Sequence, residues 1–348
     1  MVKTFGNDII SVYTGGVQVK EIWSNGVKVW PVTPTPTPPN NEIWYTSTDG
    51  NIVTPYITTS FGANIVSNTY VDGYGVIEFD GPVLAIGVYH FKDCVKLESI
   101  SLPSSVTEIA SRSFEGCTGL ISITIPPPPA SNIYIGNGAF DGCTGLTSVT
   151  IPESVSRLGQ SIFYGCTGLT SIMIPSSVTN VGVAVLSGCP NLSSITVDMN
   201  NTVYDSRNSC DAIIETSTNT LIQGCKNTVI PSSVTSIEQG AFYGVELTSI
   251  IIPSSVTSIG YQAFAYCNRL TSITIPSSVN NIRSRSFYGC SRLSEVVVEA
   301  VVPPALGTAD VFTSTASTLL IKVPSGSVET YKTSTGWSDY ASRIVAQD

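Results

Sequence analysis

Residues Leu270–Cys290 read LTSITIPSSVNNIRSRSFYGC, and this phrase returns eight times along the chain. Its cysteine stands at Cys94, Cys117, Cys143, Cys166 and Cys189 and again at Cys267 and Cys290. The intervals are 23 residues, except one of 26 that holds the proline run 126–129 and a long gap across residues 190–230. A short fixed period predicts a solenoid, in which each repeat forms one turn and neighbouring turns share a core. The question of function therefore concerns a surface more than a pocket.

Apolar residues alternate within each repeat, as at Leu270, Ile273 and Ile275. Alternation of β-branched residues predicts a strand, and the proline that follows ends it after a few residues because proline lacks an N–H donor. Val256–Ile259 predicts a second short extended piece, followed by a tight bend or a single helical turn near Phe264. No segment has the periodicity of a full helix. The sequence predicts a mostly β repeat protein with short strands and single helical or 3-10 turns.

The repeat resembles that of the BspA-like leucine-rich repeat family, which is found in bacterial surface proteins and in some protists. Leu247–Cys267 follows the family phrase L-x-x-I-x-I-P-x-x-V-x-x-I-G-x-x-A-F-x-x-C at almost every position, and the resemblance covers about residues 75–330. It implies a right-handed leucine-rich-repeat solenoid with a parallel sheet on one face, and a role in surface adhesion. The chain departs from the phrase at Val181–Leu186, which has no Ala-Phe pair, and across residues 190–230.

Three regions are predicted along the chain. Residues 1–31 form a small β unit, with strands at Ile9–Tyr13, Val17–Trp23 and Val27–Trp30 and a hairpin turn at Ser24-Asn25-Gly26. Residues 32–41 form a stiff linker of prolines and threonines. Residues 42–348 form the solenoid, with an N-terminal cap at 42–90, repeats at 91–300 interrupted by an irregular insertion at 190–230, and a C-terminal cap at 301–348.

Caps are expected because an open stack exposes strand edges and core at both ends. Ile43–Tyr45 and Gly75–Phe79 predict cap strands at the front. At the back, Leu320–Val323 predicts a last strand, and a helix with a serine cap is predicted from Ser327. The family resemblance implies that Trp337 closes this end.

Composition narrows the class of partner. Charged residues make up 12% of the chain, and 25 Asp and Glu against 16 Lys and Arg give a net charge of −9. This balance argues against nucleic acid and against an anionic membrane surface. No apolar run is long enough for membrane insertion. No apolar signal core follows Met1, so the sequence shows no secretion signal; either it was trimmed or the protein leaves its cell another way.

The cysteines, the histidine and the acidic residues could in principle form catalytic or metal sites, but their spacing does not favour one. Seven of the nine cysteines share one column of the repeat and are interpreted as buried thiols, with a Cys210–Cys225 bridge left open. His90 is the single histidine, in no motif, and is interpreted as a satisfied surface or cap residue, so no zinc site and no nucleophile–base site is expected. Glu115, Asp141 and Glu153 are interpreted as solvated loop charges, and the oxygen-rich segment 198–211 lacks the pattern of a calcium loop. We expect no cofactor, no metal and no enzymatic activity.

Two surfaces remain as candidates. We call the first the outward row: one side chain per strand lies between the two inward apolar positions and points outward, namely Ser101, Thr124, Thr150, Met173, Thr196, Ile251, Thr274 and Val297. We call the second the tyrosine edge, beside the Phe/Cys segment of the repeat: Tyr164, Tyr243, Tyr266 and Tyr288. Hydroxyls and aliphatic groups in a row suit docking, and tyrosines give contact area at low entropic cost. The row also suits a soluble strand surface with no partner.

Three functions are compatible with these features. The first is adhesion or binding of a protein or glycan ligand, from host matrix or bacterial envelope, at an extracellular or cell-surface location. The second is an attachment or tail-associated component of a phage or phage-like particle, suggested by the small N-terminal unit, the proline linker and the missing signal peptide. The third is an enzyme, which the absence of an acid–base or metal cluster disfavours. We favour the first; the oligomeric state is not predicted.

Overall fold

The computed structural model describes residues 2–5, 8–12, 23–24, 27–28, 37–125, 133–308 and 310–347. They belong to two compact units, Met1–Thr37 and Pro38–Asp348. In the first unit, β1 (Val2–Phe5) pairs antiparallel with β2 (Asp8–Val12), and β3 (Trp23–Ser24) with β4 (Val27–Lys28). The second pair agrees with the hairpin predicted there. The turn residues Asn25 and Gly26, most of the strand predicted at Val17–Trp23, residues 32–36 of the linker and the proline run 126–129 lie outside the described residues.

The second unit is a β-solenoid of about 11 turns. Its first face carries β9 (Leu97–Ser101), β11 (Ser122–Thr124), β14 (Ser171–Ile174), β16 (Ser194–Val197), β22 (Ser272–Ile275), β24 (Glu295–Val298), β26 (Leu320–Val323) and β27 (Ile344–Ala346). Its second face carries β8 (Ala85–Ile86), β10 (Glu108–Ile109), β12 (Ile133–Ile135), β13 (Val155–Leu158), β15 (Asn180–Val181), β19 (Thr220–Gly224), β20 (Ser236–Ile237), β21 (Ser258–Ile259), β23 (Asn281–Ile282) and β25 (Ala305–Leu306). The prediction of a mostly β solenoid with short strands is confirmed.

Parallel pairing holds the turns in register. On the first face Ile100 pairs with Ile123, Ile172 with Ile195, and Ile273 with Val296, so that equivalent apolar positions lie above one another. Two predicted strands, at 146–151 and 247–252, are not strands in the structure. At the first of these, the bonds from Thr147 N to Ile121 O and from Thr170 N to Thr147 O are long, at 3.4 and 3.3 Å. The first face is therefore a series of short ladders.

Each turn closes through a corner, the segment that holds the repeated phenylalanine and cysteine. Phenylalanine rings of successive corners stack almost parallel: Phe91, Phe114, Phe140 and Phe163 lie 5.2–5.5 Å apart, and Phe242, Phe264, Phe287 and Phe312 lie 5.0–5.5 Å apart. All are fully buried. Leu186 stands between the two stacks, where the repeat departs from its phrase.

The irregular insertion explains this interruption. Residues 192–225 make a turn that carries β17 (Tyr204–Asp205), a 3-10 helix (Arg207–Ser209) and β18 (Ala212–Glu215), which pairs antiparallel with β17 and β19. This turn adds no corner of its own, so the corner of Leu186 lies directly beside that of Phe242: Gly188 N donates to Tyr243 O at 2.8 Å.

A buried side chain fills the missing corner. In regular turns the phenylalanine N–H donates to a carbonyl of the next corner, as from Phe163 to Val185 O at 3.0 Å. At the insertion, the Leu186 N–H donates instead to Gln223 Oε1 (3.3 Å), and Gln223 Nε2 donates to Ala241 O (2.8 Å). The side chain of Gln223 is fully buried. The side-chain amide of Gln223 thus accepts one hydrogen bond and donates another, as a backbone peptide group of an additional corner would.

Both ends are capped. At the front, β5 (Glu42–Ser47), β6 (Ile65–Val71) and β7 (Tyr74–Phe79) form an antiparallel sheet in the order β5-β7-β6, in which β5 also pairs with β9, and Phe61 covers the phenylalanine stack. The strands β5 and β7 were predicted; β6 was not.

At the back, a helix α1 (Val328–Thr333) lies between 3-10 helices Ser325–Ser327 and Ser338–Arg343. Trp337 is fully buried against Tyr331 and Phe312, and its Nε1 donates to Pro304 O at 2.8 Å. The predicted serine cap is not formed, because the Ser327 hydroxyl donates to Val301 O instead.

Candidate binding surfaces

The outward row lies on the first face, where parallel register aligns it. Ser101 pairs with Thr124, Met173 with Thr196, and Thr274 with Val297. Thr150 and Ile251 have the same place in their turns, although those segments are not strands. At the N-terminal cap the row continues antiparallel to Trp44, which pairs with Ser101.

The centre of this row is aliphatic and exposed. Met173 is 50% exposed and Ile251 is 84% exposed. Between them in the chain order lies Val229, 71% exposed, which the sequence reasoning missed because residues 190–230 break the period. The signal was present: Val229 stands two residues before Pro231, just as Ile251 stands two residues before Pro253. Exposed aliphatic side chains in one row mark a contact surface more often than isolated ones do.

The tyrosine edge forms a continuous chain of ring contacts. The ring centroids are separated by 5.8 Å from Tyr164 to Tyr243, 5.2 Å from Tyr243 to Tyr266, and 5.6 Å from Tyr266 to Tyr288. The Tyr164 hydroxyl donates to the Tyr243 hydroxyl at 3.2 Å. Burial raises the pKa of Tyr243. Tyr164 and Tyr266 are each more than a third exposed, and the other two are half-buried.

The thiol column has a structural role. All nine cysteines are free and buried, and the structure forms no bridge between Cys210 and Cys225. Six of the seven corner cysteines donate the thiol to the phenylalanine carbonyl of the preceding corner, as from Cys166 to Phe140 O and from Cys290 to Phe264 O, whereas Cys94 donates to Thr54 O in the N-terminal cap. Burial raises the pKa of the Cys143, Cys166 and Cys267 thiols well above the usual range. Thiols held in this way are poor nucleophiles.

His90 belongs to the N-terminal cap and is buried, not on the surface. Its ring lies 4.0 Å from that of Phe61, and Nδ1 accepts the Gly87 N–H at 2.8 Å. Burial lowers the pKa of His90 to about 4, against a smaller opposing effect of a hydrogen bond with the Thr59 backbone. The imidazole is therefore neutral at pH 7 and serves packing.

The candidate carboxylates are engaged by neighbours. Glu153 accepts bonds from the Ser176 hydroxyl and the Ser177 N–H at 2.8 and 3.1 Å. Glu115 pairs with Lys92 (3.0 Å) and Arg112 (3.5 Å).

Asp141 follows its corner phenylalanine as Glu115 does, and burial together with Glu115 raises its pKa. Glu153 lies in another part of its turn, after the repeat proline.

The segment 198–211 uses its oxygens internally. Asn201 Oδ1 accepts the N–H groups of Val203 and Tyr204 at 2.9 Å, and Asp205 is paired with Arg207 at 2.7 Å. Within the described ranges, no group of three or more His, Cys, Asp or Glu side chains could hold a metal ion.

A family model for the BspA type leucine rich repeat region matches residues 84–210 and 213–330, in six copies. The chain belongs to this family. Among curated proteins, none matches the chain. Residues 1–83, 211–212 and 331–348 lie outside the two matched ranges.

The BspA-type chain is similar to several solved structures, one of which supports the fold with a TM-score above 0.5. A leucine-rich repeat protein from Eubacterium ventriosum is 27% identical, with a TM-score of 0.59 over 70% of this chain and 64% of its own. This chain thus spans less than two thirds of that protein. A leucine rich cell surface protein from Faecalibacterium prausnitzii is 23% identical, with a TM-score of 0.44 over 91% of this chain and 99% of its own. The pneumococcal vaccine antigen PcpA is 16% identical, with a TM-score of 0.44 over 81% and 86%.

In the part of the BspA-type chain that the structure describes, no helix has the length and hydropathy to cross a bilayer.

Proposed function

We propose that this BspA-type protein is a non-catalytic adhesion protein of a cell surface, which binds a protein ligand along the first face of its solenoid. The observation that carries the proposal is the exposed aliphatic centre of the outward row at Met173, Val229 and Ile251. Such side chains are costly to leave in water, and a flat row of them flanked by threonine hydroxyls suits a protein surface that covers several turns at once.

Charge supports the same conclusion. Threonine, serine and aliphatic groups dominate the row, so docking removes no charged side chain of the row from water. The net charge of −9 favours neutral or basic partner surfaces.

The test compares the full chain with the double variant Met173→Arg/Ile251→Arg, both immobilised. Two guanidinium groups placed in a desolvated contact should weaken binding at least about tenfold, since a buried unpaired charge costs several kcal/mol. The matched control is Val301→Arg/Val302→Arg, which makes the same change at two exposed valines, 68% and 77% accessible, outside the outward row.

Purified extracellular-matrix proteins and bacterial envelope proteins are the probes. Capture by the full chain and the control, lost in the Met173/Ile251 variant, supports the proposal. Equal capture by both variants contradicts a site on the first face, and glycan or peptide hydrolysis by the purified chain contradicts a non-catalytic role.

A further inference from the structure

The tyrosine edge is a second surface, on the corners and separate from the outward row. Its rings come from four corners, and each ring contacts the next. Small residues make these contacts possible: Ser187 and Gly188 occupy the corner between Tyr164 and Tyr243, so the two rings meet above it. A Cβ on Gly289 would lie 2.7 Å from the Tyr266 ring, so this ring needs a glycine on the following corner.

Tyr266 holds its place at a conformational cost. It has a φ of 59°, in the left-handed region. At the equivalent position, two residues after the phenylalanine or leucine of the corner, Gly116, Gly142, Gly165, Gly188, Gly244 and Gly289 have positive φ, as do the small polar residues Asp93 and Ser314. Tyr266 is the bulky residue in this series, and glycine adopts this conformation without the steric cost that a large side chain meets. A strained residue that completes an exposed aromatic surface is a reason to assign that surface a function.

Charge defines what the edge can accept. The four side chains of the edge are phenols, with no ionic group among them. Beside Tyr288, Arg285 lies 5.6 Å from the ring centroid and is bonded to Asp310 at 2.7 Å. At the other end, the corner of Asp141 lies next to that of Tyr164, whose carbonyl accepts the Gly142 N–H at 2.8 Å. A neutral ligand needs no counter-charge from these groups, whereas a polyanion would meet Asp141 and the net negative charge of the protein.

We infer that the tyrosine edge binds an uncharged polysaccharide along its length. Tyrosine rings pack against the C–H groups of pyranose rings, and the spacing of 5.2–5.8 Å between ring centroids is close to the length of one sugar residue in an extended chain. Neighbouring rings are inclined by 46–71° to one another, so ring faces and ring edges alternate along this surface. Phenol hydroxyls give hydrogen-bond donors and acceptors to sugar hydroxyls. The guanidinium of Arg285, over the Tyr288 ring, adds a planar donor.

The experiment uses native gels that contain dissolved mannan, laminarin or xyloglucan, with the anionic polymer alginate in a parallel gel. At least one neutral polymer should retard the full chain, and alginate should not. Tyr266→Gly should weaken the retardation about tenfold, because it removes the ring at the centre of the edge from the contact with the polymer. Its melting temperature should change little, because relief of the left-handed strain offsets the loss of the ring contacts with Tyr243 and Tyr288.

Controls separate this inference from the proposed function. Val302→Arg, at an exposed position away from the edge, should be retarded like the full chain. Protein capture by Tyr266→Gly, measured as above, should remain intact. The inference is overturned by a full chain that no neutral polymer retards, by equal retardation of Tyr266→Gly, or by a Tyr266→Gly variant that loses protein capture. Loss of first-face capture in Met173→Arg/Ile251→Arg is independent of these outcomes.

Discussion

Gln223 offers the sharpest test of how the solenoid holds together. Its amide joins the Leu186 N–H to the Ala241 carbonyl at the one place where a corner is missing. The buried side chains of the solenoid also form two clusters that meet at this insertion, one running from Ile43 to Cys225 and the other from Cys210 to Ile344. We therefore predict that Gln223→Leu weakens the coupling between an N-terminal and a C-terminal block of turns.

The magnitude follows from the hydrogen bonds. Leucine keeps most of the volume but leaves the Leu186 N–H without an acceptor, which costs about 1–3 kcal/mol in a buried site. The Ala241 carbonyl keeps a bond from the Gly224 N–H at 2.9 Å, so the lost second donor adds only about 0.5–1 kcal/mol. The expected loss in the free energy of unfolding is about 1.5–4 kcal/mol.

The assay is urea unfolding followed by circular dichroism, together with amide hydrogen exchange at Leu186. In a stack whose stability is a sum of turns and interfaces, a weakened interface splits one transition into two. The matched control is Gln160→Leu, the same change at an exposed position. A Gln223→Leu protein that unfolds in one transition at the midpoint of the unaltered chain, with Leu186 still protected, would refute the reasoning.

Two further predictions concern buried titratable groups. Burial lowers the pKa of His90 in the folded protein to about 4, so the unfolded chain takes up the proton first as pH falls below about 6.5. The free energy of unfolding should therefore drop by roughly 2 kcal/mol between pH 7.5 and pH 5. Below pH 4 the imidazole is protonated in both states, and its contribution should stop changing. Urea unfolding at several pH values checks this, and His90→Gln, which keeps an acceptor for the Gly87 N–H but does not titrate, should lack that component. The nine buried thiols should resist a thiol reagent in the folded protein, because burial disfavours the reactive thiolate. All nine should react in guanidinium, and rapid labelling of the native chain would contradict this prediction.

The sequence predicted what its period controls. Phe91, Phe114, Phe140 and Phe163 recur at the spacing of the repeat, so one stack follows once turns are placed in register. The strand order of the first face follows for the same reason. Prediction failed where the period stops: β6 belongs to a cap without repeat residues, and the segments 146–151 and 247–252 have the strand pattern but not the ladder. Alternation of apolar residues predicts which side chains face the core, but it does not predict whether neighbouring backbones lie close enough to form a hydrogen-bonded ladder.

The candidate surfaces divide in the same way. The outward row followed from the strand period, except Val229, which lies in the irregular insertion. The tyrosines were found one by one, but their contacts were not, because Tyr164 and Tyr243 are neighbours only when the insertion adds no corner. Gln223 gave no signal at all: an isolated glutamine in an apolar context acquires its role from two backbone groups that only the fold brings together.

The insertion therefore has two consequences that share one cause. By omitting a corner, it interrupts the phenylalanine stack at Leu186 and leaves the Leu186 N–H to bond a side chain, Gln223, in place of a backbone carbonyl. The same omission brings Tyr243 next to Gly188, within reach of Tyr164, and so extends the tyrosine edge across the break. A perfectly regular stack would keep Tyr164 and Tyr243 on corners farther apart. The departure from the repeat thus replaces regular backbone bonding by the Gln223 side chain at the same place where it lengthens the aromatic surface.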